Sequence, residues 1–294
     1  MSIVHEQNDR VISLGGSDRR EGGLRTKGDF VTRSEPGRPL LTVITVVRNG
    51  GEQIEQTIAS VLEQTYSNIE YIVIDGASTD GTIDTLNKYD HQLACWISEP
   101  DRGLYDAMNK GIDLATGDYI NFMNTGDVFY RPDTVESVIK SLNENDDLIY
   151  GHCRMIYDQH FSVVWKTGRV ADLWKGMIFR HQSLFAKASI CKKLHFDTTF
   201  KIGADFAFIF SCFQGGYRFR SIDMVISTIT LGGLSDINLT YALQENRRAV
   251  LGSVPTLKVK LYYFFLIYLT RLKSSIKLIL PGAVLRTMRA SKYR

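Results

Sequence analysis

Cysteine is scarce and scattered in this 294-residue chain: Cys95, Cys153, Cys191 and Cys212 form no CxxC pair. That spacing excludes a disulfide framework and a zinc ribbon and reads as core residues of a reduced, cytosolic protein. Long apolar runs are lacking too. Tyr262 to Thr270, YYFFLIYLT, reaches with its neighbours only about ten residues, against the roughly 20 that a bilayer-spanning helix needs. The opening MSIVHEQNDRVISLGG lacks the basic-then-apolar order of a secretion signal, so a cytoplasmic protein is expected. No GxGxxG follows the first apolar strand, where the residues are VVRNGGEQIE, which argues against a nicotinamide-dependent oxidoreductase. Acidic residues are missing altogether after Glu245, whereas Arg247 to Arg294 carries eleven Lys or Arg. With a net charge of +3 for the whole chain, a basic tail is attached to an acidic body, and a polyanionic surface is the expected partner of the tail.

What is present belongs to a globular protein, with 44% hydrophobic and 23% charged residues. Residues 1–38 are polar, rich in Gly, Arg and Asp, and without a period, so a disordered extension is expected there. A domain then runs over 39–250. Leu40 to Val47, LLTVITVV, is a continuous β-branched run, the pattern of a parallel strand covered on both faces. Its turn is Arg48-Asn49-Gly50-Gly51, and Ile54, Ile58, Val61 and Leu62 follow on one helical face. Ile69 to Ile74 is a second buried strand ending in the polar turn Asp75 to Thr82, and Leu93 to Ile97 is a third. Strands alternating with helices in this way predict βαβ units and a mostly parallel sheet.

The stretch from Ser98 to Tyr130, SEPDRGLYDAMNKGIDLATGDYINFMNTGDVFY, organises the rest. Leu104, Ala107, Met108, Ile112 and Ala115 predict an amphipathic helix that Gly117 ends, and Asp118 to Met123 a fourth strand. Asn124-Thr125-Gly126-Asp127 then lies where an open α/β sheet binds ligands, outside the carboxyl end of a strand. From the pattern alone Asp127 is either a ligand or a carboxylate that fixes a turn. Beyond it the chain loses the βαβ rhythm. A helix at Thr134 to Leu142, two strands within Leu148 to Trp165, a short apolar helix around Leu173 to Ile178, HQSLF at 181–185, GADFAF entering a helix, and a long strand over Tyr217 to Thr230 make a mixed α+β half. In residues 251–294 the apolar, aromatic run is flanked by Lys258, Lys260, Arg271, Lys273 and Lys277. That is an amphipathic helix suited to an anionic membrane, or else one docked on the domain; its aromatic content favours lipid over nucleic acid.

LTVITVVRNG, VIDGASTDGT, SEPDRGLYDAMNKGIDLATGDYINFMNTGD, HQSLF, GADFAF and LGGLS, in this order over about residues 40–236, resemble a family 2 glycosyltransferase, nearest the enzymes of colanic acid and related exopolysaccharide synthesis. The resemblance implies a GT-A fold, a nucleotide-diphosphate sugar donor (UDP- or GDP-linked), a Mn²⁺ or Mg²⁺ ion, inversion at the anomeric carbon, and a lipid-linked saccharide acceptor at the inner face of the cell membrane. It places Thr45, Arg48 and Asn49 beside the nucleotide, Asp75 on the nucleoside, and Asp101, Tyr105 and Asn109 in the region covering the donor diphosphate and sugar. Asp127 becomes the metal carboxylate, with Asn124 where most relatives carry the first aspartate of the motif. Many relatives also follow Asp75 with a second acid, where this chain has Gly76. Asp205 matches the base, and burial at the start of an apolar helix should raise its pKa while the helix N-terminus opposes this; without the resemblance it reads first as a helix cap. His181 is either a residue of the acceptor pocket or metal site or a hydrogen-bonded core histidine. Gly233, in the LGGLS segment, belongs either to a loop closing over the donor or to a plain turn. A glycosyltransferase relative that binds without catalysing is the alternative, since the first metal-motif aspartate is missing.

Overall fold

The computed structural model describes residues 19–29, 33–158, 160–232 and 238–279. One mixed sheet organises them, built from β1 (Arg20–Gly22), β2 (Leu41–Val47), β3 (Ile69–Asp75), β4 (Cys95–Ser98), β5 (Tyr119–Phe122), β6 (Val128–Phe129), β7 (Leu148–Asp158), β8 (Phe161–Trp165), β9 (Leu184–Lys187) and β10 (Phe219–Thr230). The order is β1-β4-β3-β2-β5-β9-β7-β10-β6, with β8 hairpinned onto β7. Strands β4, β3, β2 and β5 are parallel neighbours, as the βαβ rhythm predicts. Strand β9 runs antiparallel to both β5 and β7, and this reversal is where the regular half meets the mixed half.

The helices are α1 (Gln53–Leu62), α2 (Thr82–Lys88), α3 (Leu104–Leu114), α4 (Thr134–Lys140), α5 (Ala188–Leu194), α6 (Ala204–Gln214), α7 (Leu239–Ser253) and α8 (Leu257–Ile279). They cover both faces, which is why every residue of β2 is buried. Leu41, Val43 and Val47 join the layer of Ile54 and Ile58 from α1 and Val135 and Val138 from α4. Ile44 and Val46 face the other way, into the layer of Met108 and Ile112 from α3 and Phe206 and Phe210 from α6. A Cβ on Gly111 would lie 2.6 Å from Ile44 Cγ2, so glycine is what lets α3 lie down on β2. The four cysteines are buried free thiols, as their scatter implied.

Three expectations change. Residues 20–22 fall in the segment expected to be disordered, yet they form β1 on the outer edge of β4, Arg20 opposite Ser98 and Gly22 opposite Trp96. The 3₁₀ turn that follows, Leu24–Lys27, brings Arg25 to the fully buried Glu70. Glu70 also accepts hydrogen bonds from the Thr116 N–H at 2.7 Å and from the hydroxyls of Thr42 and Thr116. An unpaired edge and a buried carboxylate both call for a partner, and one short segment supplies both. The apolar helix expected over Leu173 to Ile178 is a 3₁₀ turn, Val170–Lys175. In the basic tail, finally, the described part of α8 docks on the folded body, the second of the two alternatives for it. Val259, Tyr263 and Ile267 of α8 are buried, a stripe in which each side chain contributes roughly 1.5–3 kcal/mol. Tyr262 meets Trp174 edge to face at 5.1 Å. The outer side of α8 stays apolar and bare: Leu257, Leu261, Phe264, Phe265, Tyr268, Leu269 and Leu272 are 44–71% exposed. No described helix is long and apolar enough to cross a membrane.

Candidate active site

The C-terminal ends of β4, β3, β2 and β5 line up along one edge, and the sequence-predicted residues fall on it with different fates. Thr45 shares the face of Val43 and Val47, so strand alternation turns it into the core. It is fully buried, donating to the Met123 carbonyl at 2.7 Å and bonded to Tyr71 Oη at 2.9 Å. Asp75 is fully buried as well. Its carboxylate accepts from the Ser78 N–H at 3.0 Å, the Ser78 hydroxyl and the Ser98 hydroxyl at 2.6 Å, and so closes its own turn. Asn49, at φ 54°, accepts the Thr79 N–H at 2.9 Å and ties the turn after β2 to the turn after β3. The expectation that Thr45 and Asp75 face the nucleotide is therefore corrected, since both are buried and bonded into the edge, whereas Asn49 stays exposed on it with its amide oxygen engaged. Arg48 is exposed on it. Asp101 lies close by, accepting the Gly103 N–H at 2.8 Å.

Next along the edge comes the turn after β5. Gly126 (φ 89°) lets the chain reverse, and Thr57 of α1 pins it, accepting from the Gly126 N–H at 3.0 Å and donating to the Asp127 carbonyl at 2.9 Å. The Asp127 carboxylate is 9% exposed and accepts from Gln182 Nε2 at 2.7 Å. Gln182 went unremarked in the sequence, although it adjoins His181 in HQSLF. Among the described residues no group of three His, Cys, Asp or Glu side chains is arranged to hold a metal ion. Two buried amide oxygens, Asn124 Oδ1 and Gln182 Oε1 of the residue bonded to Asp127, have no hydrogen-bond partner among the described residues. A carboxylate with two neutral oxygens fits a hard divalent cation that takes its remaining ligands from a diphosphate and water.

Beyond it, where β9 begins, His181 and Asp205 meet. His181 Nδ1 is 2.9 Å from Asp205 Oδ2, and His181 Nε2 is 3.0 Å from Asn124 Nδ2. An amide N–H₂ only donates, so Nε2 accepts and Nδ1 carries the proton toward Asp205. Asp205 Oδ1 accepts the Phe206 N–H at 2.8 Å and the Tyr105 hydroxyl at 3.3 Å. Burial by itself would push the Asp205 pKa up; the hydrogen bonds from His181, the Phe206 N–H and Tyr105 outweigh it and hold the carboxyl below its usual value. This reverses the expected direction, because the histidine partner was not foreseen. Tyr105 also bonds the Ile202 carbonyl, and burial pushes its hydroxyl pKa well up. It is a support for Asp205 rather than a residue facing a donor. Asn109 likewise turns inward, clamping both backbone groups of Phe196 at 2.8 Å. Glu245 of α7, which no motif singled out, accepts the N–H groups of Lys201, Ile202 and Gly203 at 2.8–2.9 Å and so sets the start of α6 where Asp205 sits. Gly233 lies outside the described residues.

The edge thus carries, in order, Arg48 and Asp101, then Asp127 with its amide oxygens, then the His181–Asp205 pair. An open cleft of about 720 Å³ lies along the outer side of α3, between Arg102, Lys110 and His195.

The family model of "Glycosyl transferase family 2" matches residues 42–217. A Mycobacterium tuberculosis protein named PGL/p-HBAD biosynthesis glycosyltransferase is 29% identical over 209 residues, 67% of this chain and 80% of that protein. An uncharacterized glycosyltransferase of the same species is 33% identical over 177 residues, 58% of this chain and 68% of its own length. Among solved structures, S. aureus TarS 1–349 in complex with UDP superposes with a TM-score of 0.55 at 16% identity, covering 72% of this chain and 65% of that one. The mannosyltransferase PcManGT of Pyrobaculum calidifontis, in complex with GDP-Man and Mn²⁺, gives 0.58 at 20% identity over 88% and 82%. At these identities the structural likeness establishes the GT-A-like fold.

Proposed function

We propose that this chain, which belongs to glycosyl transferase family 2 and is a glycosyltransferase, moves one sugar with inversion from a nucleotide-diphosphate sugar to a lipid-linked saccharide, in the synthesis of a bacterial surface polysaccharide or glycolipid. The observation that carries this reading is the Asp205 carboxylate, held by His181 beside the Asp127 turn. In a single displacement the acceptor hydroxyl gives its proton to Asp205 as its oxygen bonds to the anomeric carbon. The bond from that carbon to the donor phosphate oxygen breaks, and its electron pair leaves with the nucleoside diphosphate. Asp127, Asn124 Oδ1 and Gln182 Oε1 are the groups that would hold a Mn²⁺ or Mg²⁺ ion. Bound there, such an ion offsets the charge gathering on the diphosphate. His181 orients Asp205 and keeps it ionised, ready to accept a proton.

A relative named for PGL/p-HBAD biosynthesis and the motif resemblance to exopolysaccharide enzymes both support a role in building a glycosylated cell product. The bare apolar side of α8, with Lys258, Lys260, Arg271 and Lys273 exposed beside it, supports a peripheral position on an anionic membrane, at its cytoplasmic face. A second reading, a protein that binds donor or saccharide without catalysing, is favoured by one feature only, Asn124 where relatives carry an acid. Release of nucleoside diphosphate from a donor panel, with anionic-lipid vesicles and Mn²⁺, tests the choice. Turnover in wild type, lost in Asp205→Asn with nucleotide binding intact, is the expected result. Binding without turnover in both proteins would move the second reading ahead.

A further inference from the structure

Since Asp75 is closed in on itself, the edge needs another group to read the donor's nucleoside. The turns after β3 and β4 hold four carboxylates. Those of Asp75 and Asp80 are fully engaged, Asp80 by the N–H groups of Gly51 and Thr82 and the Thr82 hydroxyl. Glu99 pairs with Lys110 at 2.7 Å and Arg19 at 3.9 Å. Asp101 differs. Its Oδ1 accepts the Gly103 N–H, and no group among the described residues bonds its Oδ2.

Where that free oxygen sits is decided by Gly76. A Cβ on Gly76 would lie 2.2 Å from Asp101 Oδ2 and 3.5 Å from Arg48 Cβ, so the Asp101 carboxylate occupies the space a side chain at 76 would take. The acid that follows Asp75 in many relatives is absent here, and a carboxylate from the next loop fills its place. Beneath it the Gly76 N–H donates to the Val47 carbonyl at 2.8 Å, making a backbone floor between the ends of β2 and β3. Arg48, beside the same floor, is exposed and makes no ion pair among the described residues, and it lies on the side nearer the Asp127 turn. One free carboxylate oxygen, a floor without side chains and a cation next to it suit a flat ring carrying one N–H and a phosphate beyond.

We infer that Asp101, seated over Gly76, selects the donor's nucleoside, and that it takes a pyrimidine with a ring N–H, as in uridine or thymidine diphosphate, in preference to guanosine or cytidine diphosphate. The inference rests on the glycosyltransferase reading of this edge. Uracil and thymine offer one ring N–H, matching one free oxygen. Guanine offers two parallel donors, which need both oxygens of a carboxylate side by side, and only Oδ2 is set over Gly76, while Oδ1 is turned to the Gly103 N–H. Cytosine presents an unprotonated ring nitrogen, which a carboxylate repels. Rejection of a base that leaves a polar group unpaired is the strong form of discrimination.

The test is calorimetric binding of UDP, GDP and CDP, each with Mn²⁺, to the purified full-length wild type, Asp101→Asn, Gly76→Ala and Arg48→Ala. Wild type should bind UDP at least tenfold more tightly than GDP or CDP. Asp101→Asn should narrow the UDP-to-CDP ratio about tenfold, since its amide can donate to the cytosine nitrogen. Gly76→Ala should narrow it as well by displacing the carboxylate. Arg48→Ala should weaken all three alike. A folded Asp101→Asn protein with an unchanged ratio, or a wild type that prefers GDP, overturns the inference and leaves the donor site standing. Failure of every diphosphate to bind the wild type overturns the donor site itself and the inference with it.

Discussion

His181 Nδ1 lies 2.9 Å from Asp205 Oδ2, while the other nitrogen of the same ring lies 3.0 Å from the Asn124 amide. Asn124 stands at the departure from the usual metal motif, and it fixes which nitrogen of His181 carries the proton. An aspartate there would accept rather than donate, and would favour a second proton on the ring. The departure from the motif and the orientation of the base are therefore one arrangement.

Replacing His181 by Phe removes the partner that offsets burial, so the Asp205 pKa rises and the acid limb of turnover against pH moves upward. In wild type that limb should lie below the ordinary carboxylate value of about 3.9, because the folded pKa is lowered. The matching stability contribution is present above the unfolded value and lost as pH falls through the folded one, so wild type and Asp205→Asn should converge in stability only in acid. Asp205→Asn should reduce turnover by about 10²–10⁴-fold. An unmoved acid limb in His181→Phe would count against the pairing.

Glu245→Ala should act on the site from a distance. It leaves the N–H groups of Lys201, Ile202 and Gly203 without their acceptor, at a cost of about 3 kcal/mol or more. Turnover should fall more than donor affinity, because what moves is the start of α6. Urea denaturation together with separate kcat and KM values checks both parts.

Asp127→Ala should keep the fold and abolish metal-dependent stabilisation by nucleoside diphosphate. A ligand at 100 times its Kd raises stability by about 2.7 kcal/mol, a shift readily seen in a thermal melt. Gln182→Ala should weaken the metal dependence without abolishing it. Equal shifts with and without Mn²⁺ in wild type would argue against a metal at this turn.

Arg25→Ala leaves the buried Glu70 charge without its cation, and removal of one partner of such a pair costs about 3–5 kcal/mol. Adding Glu70→Gln should recover part of the loss. Chemical denaturation of the single and double variants measures the coupling, and additive effects would show that the pair is not what holds the segment down.

The tail helix separates two properties. Tyr263 is fully buried with no hydrogen-bond partner for its hydroxyl, so Tyr263→Phe should leave stability unchanged or raise it by about 1 kcal/mol. Phe264 and Phe265 are more than half exposed. Changing both to Asp should leave the melting temperature within a few degrees of wild type and abolish flotation with anionic vesicles. Unchanged flotation would remove the lipid role of this face.

How much of this was legible depended on where each residue's partners lie in the chain. The parallel strands were plain because runs such as LTVITVV occur only where both faces are covered. Asp127, His181 and Asp205 stood out because motifs in a fixed order carried them. The roles of Thr45 and Asp75 did not follow, since a strand's period says that alternate residues share a face and not which layer that face meets. Asp75 further depends on Ser98, from a different strand. Gln182 and Glu245 gave no local signal, because each matters only through a residue more than 40 positions away. The β1 strand, three polar residues long, has no period to detect.

The motif-bearing span and the folding unit are not the same length. A piece cut at residues 42 and 217 would lack β1 and Arg25 at one end, and at the other β10, which joins β7 to β6, together with Glu245 and the buried stripe of α8. Exchange of specificity between such proteins, by recombination or in a chimera, would therefore have to carry the flanks along with the motifs. The candidate site residues are heritable as a unit only with the polar strand before them and the basic helix after.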